Sequence, residues 1–193
     1  MAKRILVING HPDPRPERFC AALAQAYSAS ASESGHEVRT LKVGELDFPL
    51  IRSREDFEDR DPPAAIAAAQ EMLLWAEHIV IVHPLWLGTA PAVLKAFLEQ
   101  AFRYGFATPQ PGEGLPRGLL GGRSARLIVT MGMPANVYTT VFGGFGVRAM
   151  ARGILAVSGI RPVRRTYFGQ VELKAQERAK WLERVRALGR AAA

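Results

Sequence analysis

The chain has 193 residues, of which 48% are hydrophobic and 22% are charged. This composition is ordinary for a folded globular protein, and the length is most simply that of one domain over residues 1–193. The net charge of +7 raises the hypothesis of a nucleic-acid partner. The basic residues are scattered, however, and no helix-turn-helix, zinc-ligand or aromatic RNA-binding signature accompanies them. We therefore expect no nucleic-acid partner.

Three further features bear on the compartment. The single cysteine, Cys20, excludes an internal disulfide and is compatible with a reducing cytoplasm. The N-terminus begins a strand at once and lacks the apolar region and cleavage site of a signal peptide. Two prolines, a histidine and a glycine interrupt the apolar region at 79–98, which argues against a membrane span. We expect a cytoplasmic protein with no membrane span.

The chain alternates between short apolar strands and amphipathic helices. A strand, a tight loop, a helix and a second strand form a βαβ unit, whose crossover should be right-handed. Five such strands predict one three-layer α/β domain with a parallel sheet, for which we choose the doubly wound strand order 2-1-3-4-5. The predicted strands are Arg4–Asn9, Glu37–Val43, Ile79–Val82, Ser124–Met131 and Ile160–Gly169, and the predicted helices are near 17–34, 62–76, 91–101, 147–158 and 174–188.

Proline and glycine set the predicted boundaries. Asp61 is predicted to cap the second helix, with Pro62 and Pro63 in its first turn. His83-Pro84 is predicted to end the central strand, because proline cannot donate to a ladder. The remaining segments are predicted to be irregular, and the third of them could cover a site: 10–16, 44–61, 103–122 and 132–146.

Ligands of open α/β sheets bind at the carboxyl ends of the strands, beside the point where strand order reverses. The loops that follow the first, third and fourth strands should meet there: 10–18, 84–90 and 131–138. The first of these leads into a helix N-terminus, which favours phosphate binding. It matches neither the Rossmann nor the Walker glycine pattern, so a nucleotide site of either standard kind is not expected.

The side chains in these loops suggest three parts of one ligand. His11 and Arg18 could contact phosphate oxygens, although an exposed arginine in a first helical turn is also unremarkable. Trp86, in apolar backbone, suits a flat ring. Gly132 permits a ligand to approach the backbone closely, and Tyr138 offers a phenol hydroxyl. A phosphate end, a flat ring and a hydrogen-bonding far wall together describe a flavin site.

Four stretches carry a resemblance to a known family: ILVINGHPDP at 5–14, HPLWLGTAPAVLKAFLEQAFRYGFA at 83–107, LIVTMGMPANVY at 127–138 and GILAVSGIRPVRRTYFG at 153–169. Through them the chain resembles the flavodoxin-like NAD(P)H:quinone oxidoreductases. That group includes DT-diaphorase and the bacterial potassium-efflux accessory oxidoreductases. The resemblance spans nearly the whole chain and implies a flavodoxin-like three-layer sandwich.

The resemblance also implies the site residues. The flavin phosphates would lie near His11, Arg18, Phe19 and Cys20. The flavin ring would contact Pro84, Leu85, Trp86 and Leu87, largely through their backbone, and further flavin contacts would fall at Thr130, Met131, Gly132, Met133 and Tyr138. Trp86, Phe106 and Phe145 would form the slot for substrates, although Phe106 and Phe145 could equally be core residues. No metal site is expected.

Two departures from the family pattern matter. Many relatives have Ser-Phe-Asn where this chain has Arg18-Phe19-Cys20, so phosphate binding here would depend more on charge. DT-diaphorase has a histidine six residues after its catalytic tyrosine, and the matching position here is Gly144. Tyr138, the implied catalytic residue, is therefore expected to act by hydrogen bonding without a Tyr–His relay.

The activity implied by the resemblance is hydride transfer from NAD(P)H to bound FAD or FMN, and then to a quinone or a similar small acceptor. It also implies a homodimer with the active site at the subunit interface. Two alternatives stay open: a flavoprotein electron carrier or regulatory subunit with little turnover alone, and a basic protein associated with nucleic acid. The choices between FAD and FMN, between NADH and NADPH, and among acceptors are not decided by the sequence.

Overall fold

The computed structural model describes residues 1–59, 61–109 and 118–193. Its sheet has five strands, all paired in parallel, in the order β2-β1-β3-β4-β5. This architecture confirms the predicted α/β class, the flavodoxin-like fold and the strand order 2-1-3-4-5. The strands are β1 Arg4–Asn9, β2 Glu37–Lys42, β3 His78–Pro84, β4 Ser124–Met131 and β5 Val163–Gly169.

Helices cover both faces of the sheet. Seven α-helices are described: α1 Phe19–Glu33, α2 Arg54–Glu58, α3 Ala64–Trp75, α4 Ala92–Ala101, α5 Ala135–Thr140, α6 Phe145–Ala149 and α7 Arg178–Arg190. α6 continues directly into a π-helical segment, Met150–Ala156, and short 3-10 turns lie at Val43–Glu45 and Ala175–Glu177. In the described part of the chain, no helix combines the length and apolarity needed to cross a membrane.

The core has one layer on each side of the sheet. One cluster packs the sheet against α3, α4 and α6 through residues such as Leu94 and Phe97. The other packs it against α1 and α7 through residues such as Leu23 and Val185. β3 lies between them and is buried at every position, as expected for a central parallel strand with a continuous β-branched run.

The structure extends the predicted central strand. Pro84 is the last residue of β3, so the strand does end at His83-Pro84, but these two residues still pair with Val129 and Thr130 within the ladder. The N–H of Leu85 donates to the Thr130 carbonyl of β4 at 2.7 Å. Successive N–H groups along a strand point alternately to its two neighbours, so the residue before Leu85 points away from β4. The missing N–H of Pro84 therefore faces the β1 side, where pairing has already ended at Asn9 and Val82.

The structure also corrects one cap and two loops. α3 begins at Ala64 with Pro63 in the N-cap position and no side-chain cap, so Asp61 is not its cap. α2 lies inside 44–61 and begins with a capping box between Ser53 and Asp56, a short-range signal present in the sequence. α5 lies inside 132–146, so that segment is not irregular throughout.

Candidate functional site

The three loops meet at the carboxyl edge of the sheet. The rings of His11 and Trp86 lie edge to face with centroids 5.8 Å apart, which joins the first and second loops. The Tyr138 hydroxyl lies 3.1 Å from the Gly88 carbonyl oxygen, which joins the second and third. Each loop thus reaches a neighbour, and the edge forms one continuous surface.

The first loop holds His11 as an oriented, neutral ring. Its backbone N–H donates to Asn9 Oδ1 at 3.1 Å, and its Nδ1 accepts from the Asp13 N–H at 3.0 Å. Nδ1 is therefore unprotonated, and the ring proton is on Nε2. Burial lowers the pKa of His11, which favours this neutral form. His11 can donate one hydrogen bond from Nε2.

Asp13, which the sequence prediction missed, organises the arginines of this loop. Its carboxylate accepts from Arg15 Nε at 2.9 Å and from Arg18 Nε at 2.6 Å. These hydrogen bonds, chiefly those from Arg15, hold the pKa of Asp13 well below its usual range. The group of two guanidiniums and one carboxylate leaves one net positive charge beside the start of α1.

The N-terminus of α1 is open to an anion. Arg18 occupies the N-cap position without making a side-chain cap, and in the described chain the Phe19 and Cys20 N–H groups have no backbone acceptor. Such N–H groups, with the helix dipole, favour phosphate. The Cys20 side chain turns inward, with Sγ 3.4 Å from Thr130 Oγ1, and burial raises the pKa of its thiol to about 11. Cys20 therefore offers a ligand only its backbone.

The second loop is a strained two-residue hairpin. Trp86 and Thr89 exchange two backbone hydrogen bonds of 2.9 and 3.0 Å. Leu87 and Gly88 between them have φ of +48° and +80°, as in a type I′ turn. A leucine in the left-handed region costs about 1 kcal/mol or more. The Leu87 side chain is fully exposed and that of Trp86 is 48% exposed, so the turn presents an uncovered apolar wall.

The third loop holds this turn in place. Tyr138 is buried, its hydroxyl donates to the Gly88 carbonyl at 3.1 Å, and it accepts from the Val147 N–H at 3.2 Å. The start of α6 also approaches closely, because a Cβ on Gly146 would lie 2.2 Å from the same carbonyl oxygen. The single hydroxyl hydrogen of Tyr138 is committed to the protein. Its predicted role as a catalytic donor stays untested, and the geometry instead makes it a support for the turn.

The other predicted residues differ in which of their groups are accessible to a ligand. Side chains are buried at Pro84, Thr130 and Met131, and the carbonyls of the last two already accept from Leu85 and Val171. Gly132 is exposed, with no atom within 4 Å of its Cβ position. Their contacts with a flavin stay predictions, as do those of the remaining residues: Leu85, Met133 and Phe106 are half-buried, and Phe145 is 70% exposed.

These features fit a flavin mononucleotide unit. Free N–H groups and a net positive charge lie at the start of α1, where a phosphate would be held. The uncovered apolar wall of Trp86 and Leu87 suits a flat ring. The open backbone at Gly132 allows close approach from the far side. Among the described residues, no cluster of metal-ligating side chains is present.

Comparison with known proteins agrees with this description. A family model described as a flavodoxin-like fold matches residues 3–188. The chain is 28% identical over 177 residues to an uncharacterized NAD(P)H oxidoreductase of Haemophilus influenzae, covering 87% of this chain and 84% of that protein. It is 33% identical over 171 residues to FMN-dependent NADH:quinone oxidoreductase 1 of Bacillus subtilis, covering 75% and 82%.

Solved structures give the same result. Smu.1420 from Streptococcus mutans superposes with a TM-score of 0.78 at 27% identity, covering 97% of this chain and 99% of that one. The NAD(P)H:quinone oxidoreductase from Methanothermobacter marburgensis superposes with a TM-score of 0.82 over all of both chains; at 19% identity this likeness shows the fold alone. Because the family model matches nearly the whole chain, the protein belongs to this family of flavodoxin-like proteins.

Proposed function

We propose that the protein is a flavin-dependent NAD(P)H oxidoreductase that reduces quinones or similar small acceptors. The observation that carries this proposal is the meeting of three loops, which sets an open helix N-terminus beside the uncovered wall of Trp86 and Leu87. The relatives support it, since their names include NAD(P)H oxidoreductase and FMN-dependent NADH:quinone oxidoreductase.

A bound flavin would supply the redox chemistry, accepting hydride from NAD(P)H and passing it to the acceptor. The protein would supply position and electrostatics. The Phe19 and Cys20 N–H groups and Arg18 would bind the phosphate. Trp86 and Leu87 would hold one face of the ring, and the backbone N–H groups of Gly132 and Met133 are candidates to stabilise negative charge at its edge.

The flavin and the acceptor are proposed only by class. FMN or FAD would satisfy the α1 site, because both carry a phosphate next to the ribityl chain. Trp86, Phe106 and Phe145 are proposed to line the slot for quinone and nicotinamide. The exposed Phe145 ring, with the Arg148 guanidinium 5.9 Å from its centroid, provides an apolar surface at this edge.

A homodimer in the cytoplasm completes the proposal. Val141, Phe142 and Phe145 are 75%, 54% and 70% exposed and lie close together in the sequence, so a second subunit could cover them. The loop predicted to reach a partner, 103–122, falls in part on residues 110–117, outside the described residues. Light scattering at micromolar concentration should give the dimer mass. A monomer with full activity would reject this part of the proposal.

The central experiment is identification of the chromophore. The purified protein should be yellow, heat should release a flavin that mass spectrometry identifies, and NADH or NADPH should bleach it without any partner protein. A protein that stays colourless and binds neither FMN nor FAD on titration contradicts the proposal. A flavoprotein that NAD(P)H reduces only when a second protein is added would be a carrier instead.

Trp86→Ala tests the wall itself. It should weaken flavin binding at least tenfold, because stacking on an aromatic face is lost, while the free energy of unfolding changes little for a half-exposed side chain. Trp75→Ala is the control, since Trp75 lies at the end of α3, outside the three loops, with its ring under the Arg39 guanidinium. A loss of several kcal/mol of stability with flavin affinity intact would make Trp86 structural.

A further inference from the structure

Arginines that are scattered in the sequence gather around the β5 edge of the sheet. A pocket of about 630 Å³ is lined by Arg126, Arg148, Arg152, Arg164 and Arg165. We call it the arginine pocket. Its described lining includes the polar side chains of Thr139 and Tyr167 and contains no acidic residue.

Most of these charges lack a counter-ion. In the part of the chain that the structure describes, Arg148, Arg152, Arg164 and Arg165 have no carboxylate within 4.0 Å. Arg126 has two neutral acceptors, since it donates to Thr166 Oγ1 at 2.7 Å and to the Ala193 carbonyl oxygen. Elsewhere on the surface, arginines such as Arg54 and Arg186 do pair with glutamates.

Protection of an edge strand explains only part of this arrangement. Charged residues on β5 would discourage pairing with another chain, and Arg164 and Arg165 suffice for that. Arg148 and Arg152 instead come from α6 and the π-helical segment, four residues apart in one continuous helix. Like charges at that spacing destabilise a helix, so their common orientation toward the pocket needs another reason. A bound anion would offset the repulsion of all four.

The pocket adjoins the candidate flavin site without sharing its phosphate position. Thr139, Gly143 and Gly144, which follow Tyr138, line one end. The rings of Tyr138 and Tyr167 are 6.1 Å apart. No residue of α1 contributes to the lining, so an anion here would be a second one.

We propose that the arginine pocket binds a phosphate-bearing anion. Guanidinium groups are planar, permanently charged and suited to bidentate contact with phosphate oxygens, and the volume is within the range of small-molecule sites. Two sources share this chemistry: the 2′-phosphorylated end of NADPH, and a free phosphorylated metabolite. The first source rests on the proposed function, whereas anion binding itself does not.

Inorganic pyrophosphate is the probe, titrated calorimetrically into the flavin-loaded protein at low and at moderate salt. Wild type should bind it, more weakly as salt rises. Arg152→Gln and Arg165→Gln should each weaken binding about tenfold, the weight of one charge-assisted hydrogen bond. Both side chains are exposed, so the variants should fold. Arg39→Gln on β2, the opposite edge strand, is the matched control and should bind within about twofold of wild type.

Failure to bind pyrophosphate, or equal binding by all variants, overturns the proposal. Retention of duplex DNA that these two substitutions abolish, without pyrophosphate binding, would also overturn it and identify a nucleic-acid surface instead. If NADPH is the source, Arg152→Gln should lower kcat/KM for NADPH about tenfold and leave that for NADH unchanged. If the ratio of kcat/KM for NADPH to that for NADH is unchanged while pyrophosphate binding is lost, the pocket binds a free phosphorylated ligand. Absence of flavin or of NAD(P)H oxidation would instead contradict the proposed function, and the same pyrophosphate titration of the flavin-free protein and its variants would still decide anion binding.

Discussion

The strands of the parallel sheet begin at one edge, here called the amino edge, and end at the carboxyl edge. These two edges are built in different ways. At the amino edge, polar side chains join separate parts of the chain: His78 Nδ1 lies 2.7 Å from Ser124 Oγ, and Lys3 Nζ donates to the Ala192 carbonyl at 3.0 Å. The residues that follow α7 are thereby tied to the residue that precedes β1. This edge is organised for stability.

The carboxyl edge leaves polar and apolar groups unsatisfied. The first N–H groups of α1 have no backbone acceptor among the described residues, and Leu87 is both left-handed in φ and fully exposed. Strain and exposure of this kind persist where the surroundings impose them and where a ligand can use them. The same five strands therefore contribute mainly to stability at the amino edge and to ligand binding at the carboxyl edge.

Acidification should produce the largest effect, because it acts on a buried histidine at each edge. Burial lowers the pKa of His78 and of His83 to about 4, against about 6.5 in the unfolded chain. Between these values the unfolded chain binds protons that the folded chain does not, so stability falls as pH drops from about 6.5 to about 4.

The expected slope is at most about 1.4 kcal/mol per pH unit for each histidine. Urea unfolding at a series of pH values measures it. His78→Gln and His83→Gln should each remove about half of the slope. If both variants keep the slope of the wild type, the acid sensitivity has another origin, and the edges do not share this feature.

Gly146→Ala should separate the edges most sharply. Its Cβ would lie 2.2 Å from the Gly88 carbonyl oxygen and 2.7 Å from Thr89 Cα, so the Leu87–Gly88 turn must move away from α6. A displacement of about 1 Å in a binding loop can cost about a hundredfold in turnover. We expect a loss of that size in kcat/KM and weaker flavin binding, with stability changed by less than about 1 kcal/mol for an exposed turn.

Gly189→Ala is the matched change at the amino edge. Its Cβ would lie 2.2 Å from Ser30 Oγ and 2.5 Å from the Tyr27 carbonyl oxygen, where α7 packs on α1. Overpacking of this kind costs about 1–3 kcal/mol, partly offset by the better helix propensity of alanine. The melting temperature should fall while flavin affinity stays unchanged. Equal effects of the two alanines on flavin affinity would contradict the division between the edges.

Tyr138→Phe should have a smaller effect at the carboxyl edge. The change removes one bond to the Gly88 carbonyl and one from the Val147 N–H. Turnover should fall about tenfold, the weight of one such bond and not of two, because the turn keeps its own two Trp86–Thr89 hydrogen bonds. The pH dependence of the rate should not change, because the hydroxyl only positions the turn. Tyr167→Phe, on the neighbouring ring, is the control. A loss beyond a thousandfold in stopped-flow reoxidation by a benzoquinone would instead make Tyr138 an obligate acid.

The sequence was sufficient for the sheet but not for the contacts between loops. Continuous apolar runs predict β1 and β4 to the residue, since a buried parallel strand requires them. α5 was missed, because a six-residue helix between proline and glycine has no period long enough to detect. Topology alone placed the three loops at one edge.

The bonds within the site depend on tertiary positions that a single sequence does not encode locally. Nothing in the spacing of Tyr138 and Gly88 indicates that one donates to the other. Asp13 was a detectable omission, because an aspartate two residues before Arg15 in a proline-rich loop is a common turn signal.

Leu87→Gly should produce the smallest effect, and it tests whether strain is stored in the turn. Glycine removes the cost of a left-handed leucine, about 1 kcal/mol or more, but makes the unfolded chain more flexible, by about 0.5–1 kcal/mol. Because the side chain is fully exposed, no packing is lost. The protein should therefore gain about 0.5 kcal/mol or less in urea unfolding, while flavin affinity falls a few-fold as part of the apolar wall disappears. Leu173→Gly is the control, since Leu173 is 75% exposed and is not among the left-handed residues. The Leu173→Gly variant should lose about 0.5–1 kcal/mol of stability, because glycine makes its unfolded chain more flexible as well. Equal destabilisation by both glycines would show that the turn stores no strain, and that the two edges differ in exposure alone.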